Sequence, residues 1–117
     1  TSPFTLDEKK DATQRAADLS GAVVLYKGAQ TTIAAPGCKA DVTDTTAVPD
    51  AAWLATAGAG DVLAGMITGL LAKGAQAAEA AQIGALLHVM AGQRLGSGLI
   101  AEDLPKQIPA LFRELGV

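Results

Sequence analysis

The spacing of hydrophobic and polar positions changes period along the chain, and each change predicts an element. Ala12, Ala16 and Leu19 fall at helical spacing behind Thr5-Leu6-Asp7-Glu8, which has the form of a capping box. Gly21 supplies the stop. This predicts a helix over Leu6–Ser20 with a charged outer face. Residues 22–26 (Ala-Val-Val-Leu-Tyr) form a continuous apolar run rich in β-branched side chains. Such a run predicts a strand buried on both faces, as in a parallel sheet covered by helices. Lys27-Gly28 ends it, and a second strand fits 31–35. Pro36-Gly37 is a turn, with a third strand returning over 39–43. Residues 44–52 show no clean period and read as a loop.

Beyond Trp53 the pattern turns helical again. Thr56-Ala57-Gly58-Ala59-Gly60-Asp61 leads into Leu63, Met66, Ile67, Leu70 and Leu71, which recur at helical spacing up to Gly74. Another helix is predicted over Ala77–Leu95, with Ile83, Leu86, Leu87 and Met90 as its apolar stripe. Gly65, Gly69, Gly84 and Gly92 lie inside these two helices, at about 1 kcal/mol each against alanine. Their presence predicts close approach to neighbouring elements. Asp103 is placed to cap a last helix with Pro105 in its first turn. Pro109 has no backbone N–H to donate, so that helix should kink or split there.

Composition narrows the class. At 117 residues the chain fits one modest domain, and its 50% hydrophobic content is that of a globular, helix-rich protein. A net charge of -3 with no Lys/Arg cluster argues against a nucleic-acid surface. The longest apolar stretch, 62–72, is too short to span a bilayer. No signal peptide is expected from Thr1-Ser2-Pro3-Phe4 and the charged residues that follow. The lone Cys38 cannot form an internal disulfide and fits a reducing cytoplasm.

The chemistry concentrates at residues 56–65. A loop of Gly and Ala leaves its backbone N–H groups uncovered, and at a helix N-terminus such donors hold an anion without a basic side chain. Asp61 adds a carboxylate in the first helical turn. It reads equally as an ordinary N-terminal helix residue and as a base for a hydroxyl attacking a phosphoryl group. The loop matches neither a P-loop nor a dinucleotide-binding fingerprint.

Gly58-Ala59-Gly60-Asp61 resembles the anion-hole motif of the ribokinase-like superfamily. The longer run from Trp53 to Gly65 resembles the ADP/ATP-dependent NAD(P)H-hydrate dehydratase family. The run from Val24 to Gly37 is similar to that family's strand, turn and strand, and the segments Leu87-His88 to Ala91-Gly92 and Leu99 to Leu104 resemble its C-terminal helices.

The resemblance implies an α/β chain, with 1–117 as the C-terminal part of a ribokinase-like domain whose N-terminal part is absent. It implies ADP- or ATP-dependent dehydration of NAD(P)H hydrate back to NAD(P)H, with Mg²⁺. By that similarity the hydrate hydroxyl is phosphorylated, and phosphate leaves as the ring double bond returns. Asp61 matches the catalytic aspartate and would contact the hydrate. Lys27, Gly28, Ala29, Gln30, Thr31 and Gly60 match nucleotide-binding positions. The amides of Ala57, Gly58, Ala59 and Gly60 would hold the transferred phosphoryl group. The implied setting is a cytoplasmic homo-oligomer whose partners are small molecules. A related kinase for a small hydroxylated metabolite is the first alternative, and an inactive nucleotide-binding remnant the second.

The remaining residues carry plainer expectations. Lys27 is either a strand-end lysine or a nucleotide contact. His88 reads as a packed, hydrogen-bonded helix residue, and with no second His or paired Cys a zinc site is not expected. Trp53 reads as a hydrophobic anchor for the loop, and Asp41, Asp44 and Asp50 as a solvated edge.

Overall fold

The computed structural model describes residues 5–44 and 54–115. Asp50 and Trp53 lie outside the described residues. Helix α1 runs Leu6–Ser20. The Glu8 N–H donates to the Thr5 hydroxyl at 3.1 Å. Gly21 closes the helix at φ 72°, where a side chain would be strained, and its N–H reaches the Ala17 carbonyl at 2.9 Å.

The buried face of α1 is not the expected one. Lys9, Thr13 and Ala17 are buried, whereas Leu19 is 87% exposed. Polar groups enter because the surface beneath offers them partners. Thr13 Oγ1 donates to the Lys9 carbonyl at 2.6 Å. That leaves the Thr32 hydroxyl to donate to Thr13 across 2.7 Å.

Strands β1 (Val24–Tyr26), β2 (Gln30–Ala35) and β3 (Cys38–Asp44) form a sheet in the order β1-β2-β3. Both pairings are antiparallel, with Leu25 opposite Ile33 and Thr32 opposite Val42. The described strands thus differ from the expected parallel arrangement. The links over 27–29 and 36–37 are hairpin-length, and parallel neighbours need a crossover of about a dozen residues. Gly37, at φ 71°, makes the second turn.

Burial on both faces also belongs to a different strand. Val24 and Leu25 are half-buried and Tyr26 is exposed, while Thr32, Ile33 and Ala34 are all buried. β2 is the central strand. Its Thr32 side faces α1, and its Ile33 side packs on Ala81 and Ala85 with Val23 and Leu25.

Helix α2 runs Ala59–Ala72 and α3 Ala77–Leu95. α3 buries alanine and glycine (Ala80, Ala81, Gly84, Ala85, Ala91, Gly92) together with Leu87 and His88. The expected stripe is split: Leu87 is buried and Met90 packs on the core, whereas Ile83 and Leu86 are exposed. Small residues win because α3 lies between the sheet and α2. A Cβ on Gly84 would sit 2.6 Å from Ile67 Cγ1, and one on Gly92 2.8 Å from Leu54 Cδ2. Gly65 and Gly69 have nothing within 4 Å of such a Cβ, so close approach explains two of the four helix glycines.

Two one-turn 3-10 helices, Ala101–Asp103 and Pro105–Gln107, precede α4 (Ile108–Leu115). The break falls just before Pro109, as its missing donor requires. Asp103 does not cap the Pro105 turn. Its Oδ2 instead accepts from the Ile100 N–H at 3.4 Å. Leu104 and Leu111 are fully buried in a cluster with Ala59, Leu87, Ala91 and Leu99.

Candidate functional site

The loop before α2 owes its shape to Gly58, which sits at φ 86°. Its carbonyl accepts from Asp61 N at 3.1 Å and Val62 N at 3.2 Å, opening the helix. Ala59 is buried, and its N–H is held by the Thr56 carbonyl at 3.2 Å. Among the described residues the amides of Ala57, Gly58 and Gly60 have no hydrogen-bond partner. Three of the four expected anion donors are therefore open, and Ala59 is the one already engaged. Asp61 is exposed in the first turn.

Lys27 comes to this loop from the other side of the chain. Its Nζ lies against Gly60, so any Cβ there would collide with it. A cation beside the positive end of a helix is unfavourable alone. An anion lying between the ammonium and the open amides would relieve that repulsion.

A cleft of about 580 Å³ opens between β1 and α2, lined by Leu25, Tyr26, Lys27, Gly60, Leu63 and Ile67 among others. That volume is in the range of small-ligand sites. The apolar walls suit a ring system, and Lys27 supplies the charge at its edge.

The rest of the expected nucleotide turn is used internally. The Thr31 hydroxyl donates to the Gly28 carbonyl at 3.1 Å. The carbonyls of Lys27 and Gln30 accept from Lys9 Nζ at 3.1 and 2.9 Å. Gly28 abuts that same ammonium. Ala29 is exposed.

His88 is buried beneath the loop, with Nε2 at 2.9 Å from the Ala59 carbonyl. A carbonyl only accepts, so Nε2 carries the proton. Burial lowers its pKa, and the Lys27 charge lowers it further, while the bond to Ala59 acts in the opposite sense. The unfolded chain therefore binds a proton more readily than the folded one. Stability is complete above the ordinary value of 6.5 and declines as pH falls from there through the lowered folded value. Urea midpoints measured between pH 7.5 and 5 should fall for the wild type and fall less for His88→Gln, which retains an N–H donor. Parallel slopes for the two proteins would exclude His88 as the titrating group.

Lys9 is the site-forming residue that the hydrophobic pattern did not mark. Its signal was the spacing of Lys9, Thr13 and Ala17 at i, i+4 and i+8 on one helical face, adjoining the stripe of Ala12, Ala16 and Leu19. Among the described residues no three His, Cys, Asp or Glu gather to hold a metal ion. A Mg²⁺ arriving with a nucleotide would be held largely by phosphate oxygens and water, and Asp61 is the exposed carboxylate at this helix end. No helix among the described residues is long and apolar enough to cross a membrane.

The profile of the NAD(P)H-hydrate dehydratase family matches residues 2–110. The chain belongs to that family. It is 46% identical over 85 residues to the bifunctional NAD(P)H-hydrate repair enzyme of Mycobacterium leprae, covering 73% of this chain and 17% of that protein. Its counterpart in Methanopyrus kandleri is 34% identical over 115 residues, covering 93% and 22%. The ADP-dependent (S)-NAD(P)H-hydrate dehydratase of Xanthomonas campestris is 36% identical over 98 residues, covering 80% and 32%. The chain thus spans about a fifth of the bifunctional enzymes and a third of the dehydratase.

Proposed function

We propose that this chain supplies the nucleotide and phosphoryl-transfer half of an ADP-dependent NAD(P)H-hydrate dehydratase. The observation that carries the reading is the meeting of Lys27 with Gly60 at the start of α2, beside the exposed Asp61. The printed names of relatives specify ADP and the hydrate as what those proteins use.

In the proposed reaction the hydrate hydroxyl attacks a terminal phosphorus of the nucleotide and gives its proton to the Asp61 carboxylate. The bond to the departing nucleoside phosphate breaks. The phosphate ester then loses phosphate, and loss of a ring proton restores the double bond. The open amides of Ala57, Gly58 and Gly60 hold the charge that develops on the transferred group. Lys27 balances it from the cleft. A bound Mg²⁺ would neutralise phosphate charge, held by phosphate oxygens and water, while the Asp61 carboxylate takes the proton.

The proposed domain is the C-terminal part of a ribokinase-like fold. Its parallel strands would add at β1, which is an edge strand among the described residues. The proposed setting is cytoplasmic, with no nucleic-acid or membrane partner. The proposed assembly is a homo-oligomer, supported by Leu71, Ile83 and Leu86, which α2 and α3 leave exposed.

The test is recovery of NADH from its hydrate by this chain, with Mg-ADP and Mg-ATP in parallel. Nucleotide-dependent recovery is the expected result. Nucleotide binding without recovery would move the reading to a kinase of another hydroxylated acceptor. A folded chain that neither binds nor recovers would end the catalytic reading.

A further inference from the structure

Lys9 is a lysine that a helix has turned inward. It is 6% exposed, and burial pushes its pKa below the usual lysine value. The ammonium is nonetheless well held. It donates to the carbonyls of Lys27 at 3.1 Å and Gln30 at 2.9 Å and stands 4.4 Å from the centre of the Tyr26 ring. Those two carbonyls mark the two ends of the turn between β1 and β2. One charge therefore gathers both ends of the turn and the last residue of β1.

Peptide planarity makes this a steering contact. In a trans peptide the C=O and the following N–H point in opposite directions. Drawing the Lys27 carbonyl inward to Lys9 turns the Gly28 N–H away from it. The same contact fixes the backbone of Lys27, and so the direction in which its side chain leaves toward Gly60.

Gly28 adds an independent observation. It is not among the residues with positive φ, so no left-handed conformation requires a glycine there. Its Cβ, if present, would stand 2.7 Å from Lys9 Nζ. Glycine at 28 is the space the ammonium occupies. Lys9 lies 18 residues before Lys27, and no motif joins the two in the sequence.

We propose that Lys9 is a positioning residue for the 27–31 turn: it sets the turn's shape and aims Lys27 at the α2 loop, without touching the ligand. The ligand part rests on the proposed function, in which that turn holds the nucleotide.

The experiment compares the wild type with Lys9→Met and Lys27→Met. Amide hydrogen exchange is followed at 27–31 and across α3, and Mg-ADP affinity by calorimetry. Hydrogen bonds from a charged group are the strong ones, so Lys9→Met should raise exchange at 27–31 by about tenfold or more and weaken Mg-ADP by a similar factor. Exchange in α3 should stay at the wild-type rate. Lys27→Met should weaken Mg-ADP while leaving the turn protected, which separates a ligand contact from a positioning contact.

Wild-type exchange at 27–31 in Lys9→Met would overturn the proposal, as would an equal rise throughout the chain. A loosened turn with unchanged Mg-ADP affinity would overturn the positioning role while leaving the nucleotide reading intact. A wild type that binds no Mg-ADP would overturn the nucleotide reading, and exchange alone would then decide whether Lys9 shapes the turn. Should Lys9→Met fail to fold, Gly28→Ala serves instead. It displaces the ammonium and should loosen the same five residues.

Discussion

Asp61→Asn is expected to slow nucleotide-dependent recovery of NADH by about 10²- to 10⁴-fold, the range supplied by a positioned general base. Mg-ADP affinity should change little. The separation follows from the local geometry. Asp61 is held in the helix by its backbone, through the bond from its N–H to the Gly58 carbonyl at 3.1 Å. Its side chain is exposed and, among the described residues, makes no hydrogen bond to the loop. Asparagine keeps the size and loses the proton-accepting charge. The lost attraction to the helix N-terminus amounts to about 0.3–1 kcal/mol, too little to unfold the loop. Steady-state rates and calorimetry on the two proteins read the difference. A parallel collapse of rate and affinity would show that the carboxylate organises the nucleotide, and the base role would fall.

The limits of α1 and α3 were legible because they depend on local chemistry. Thr5 and Gly21 close α1 by short-range hydrogen bonds that no tertiary contact overrides. The faces of the same helices were not legible. Burial was expected to follow hydrophobicity, and at α1 it follows partners: Lys9 and Thr13 go inward because carbonyls and the Thr32 hydroxyl wait for them. At α3 it follows size, since Gly84 and Gly92 admit Ile67 and Leu54 while the bulkier Ile83 and Leu86 stay outside.

Strand direction was misjudged for a related reason. The apolar run at 22–26 predicted two-sided burial, but the central place in the described sheet goes to the more polar β2. The candidate site divides in the same way. The loop at 57–61 is contiguous and was readable from its glycines. The approach of Lys27 to Gly60 joins segments that only the fold brings together.

The loop also depends on a core that its own sequence does not reveal. Leu104→Ala is expected to lower the unfolding free energy by about 2–5 kcal/mol, because its fully buried site leaves a cavity that close-packed neighbours refill only partly. Total stability for a small domain is about 5–15 kcal/mol, so this single change removes a large share. Leu19→Ala is the matched control. With Leu19 87% exposed, its effect should stay within about 0.5 kcal/mol. Urea denaturation of both variants measures the contrast, and similar midpoints would show that Leu104 is not part of the core. The consequence reaches the site because Ala59 belongs to the same cluster as Leu104. Ala59 also accepts from His88 at its carbonyl and donates its N–H to Thr56, so the 57–60 loop is pinned at this buried alanine. Loosening the cluster should therefore raise amide exchange at 57–61 before it does so at the β2–β3 hairpin, whose turn is tied to α1 by the Gly37 N–H donating to Asp18 at 2.9 Å. Equal loosening of both regions would mean that the chain unfolds as one unit and that the loop has no support of its own.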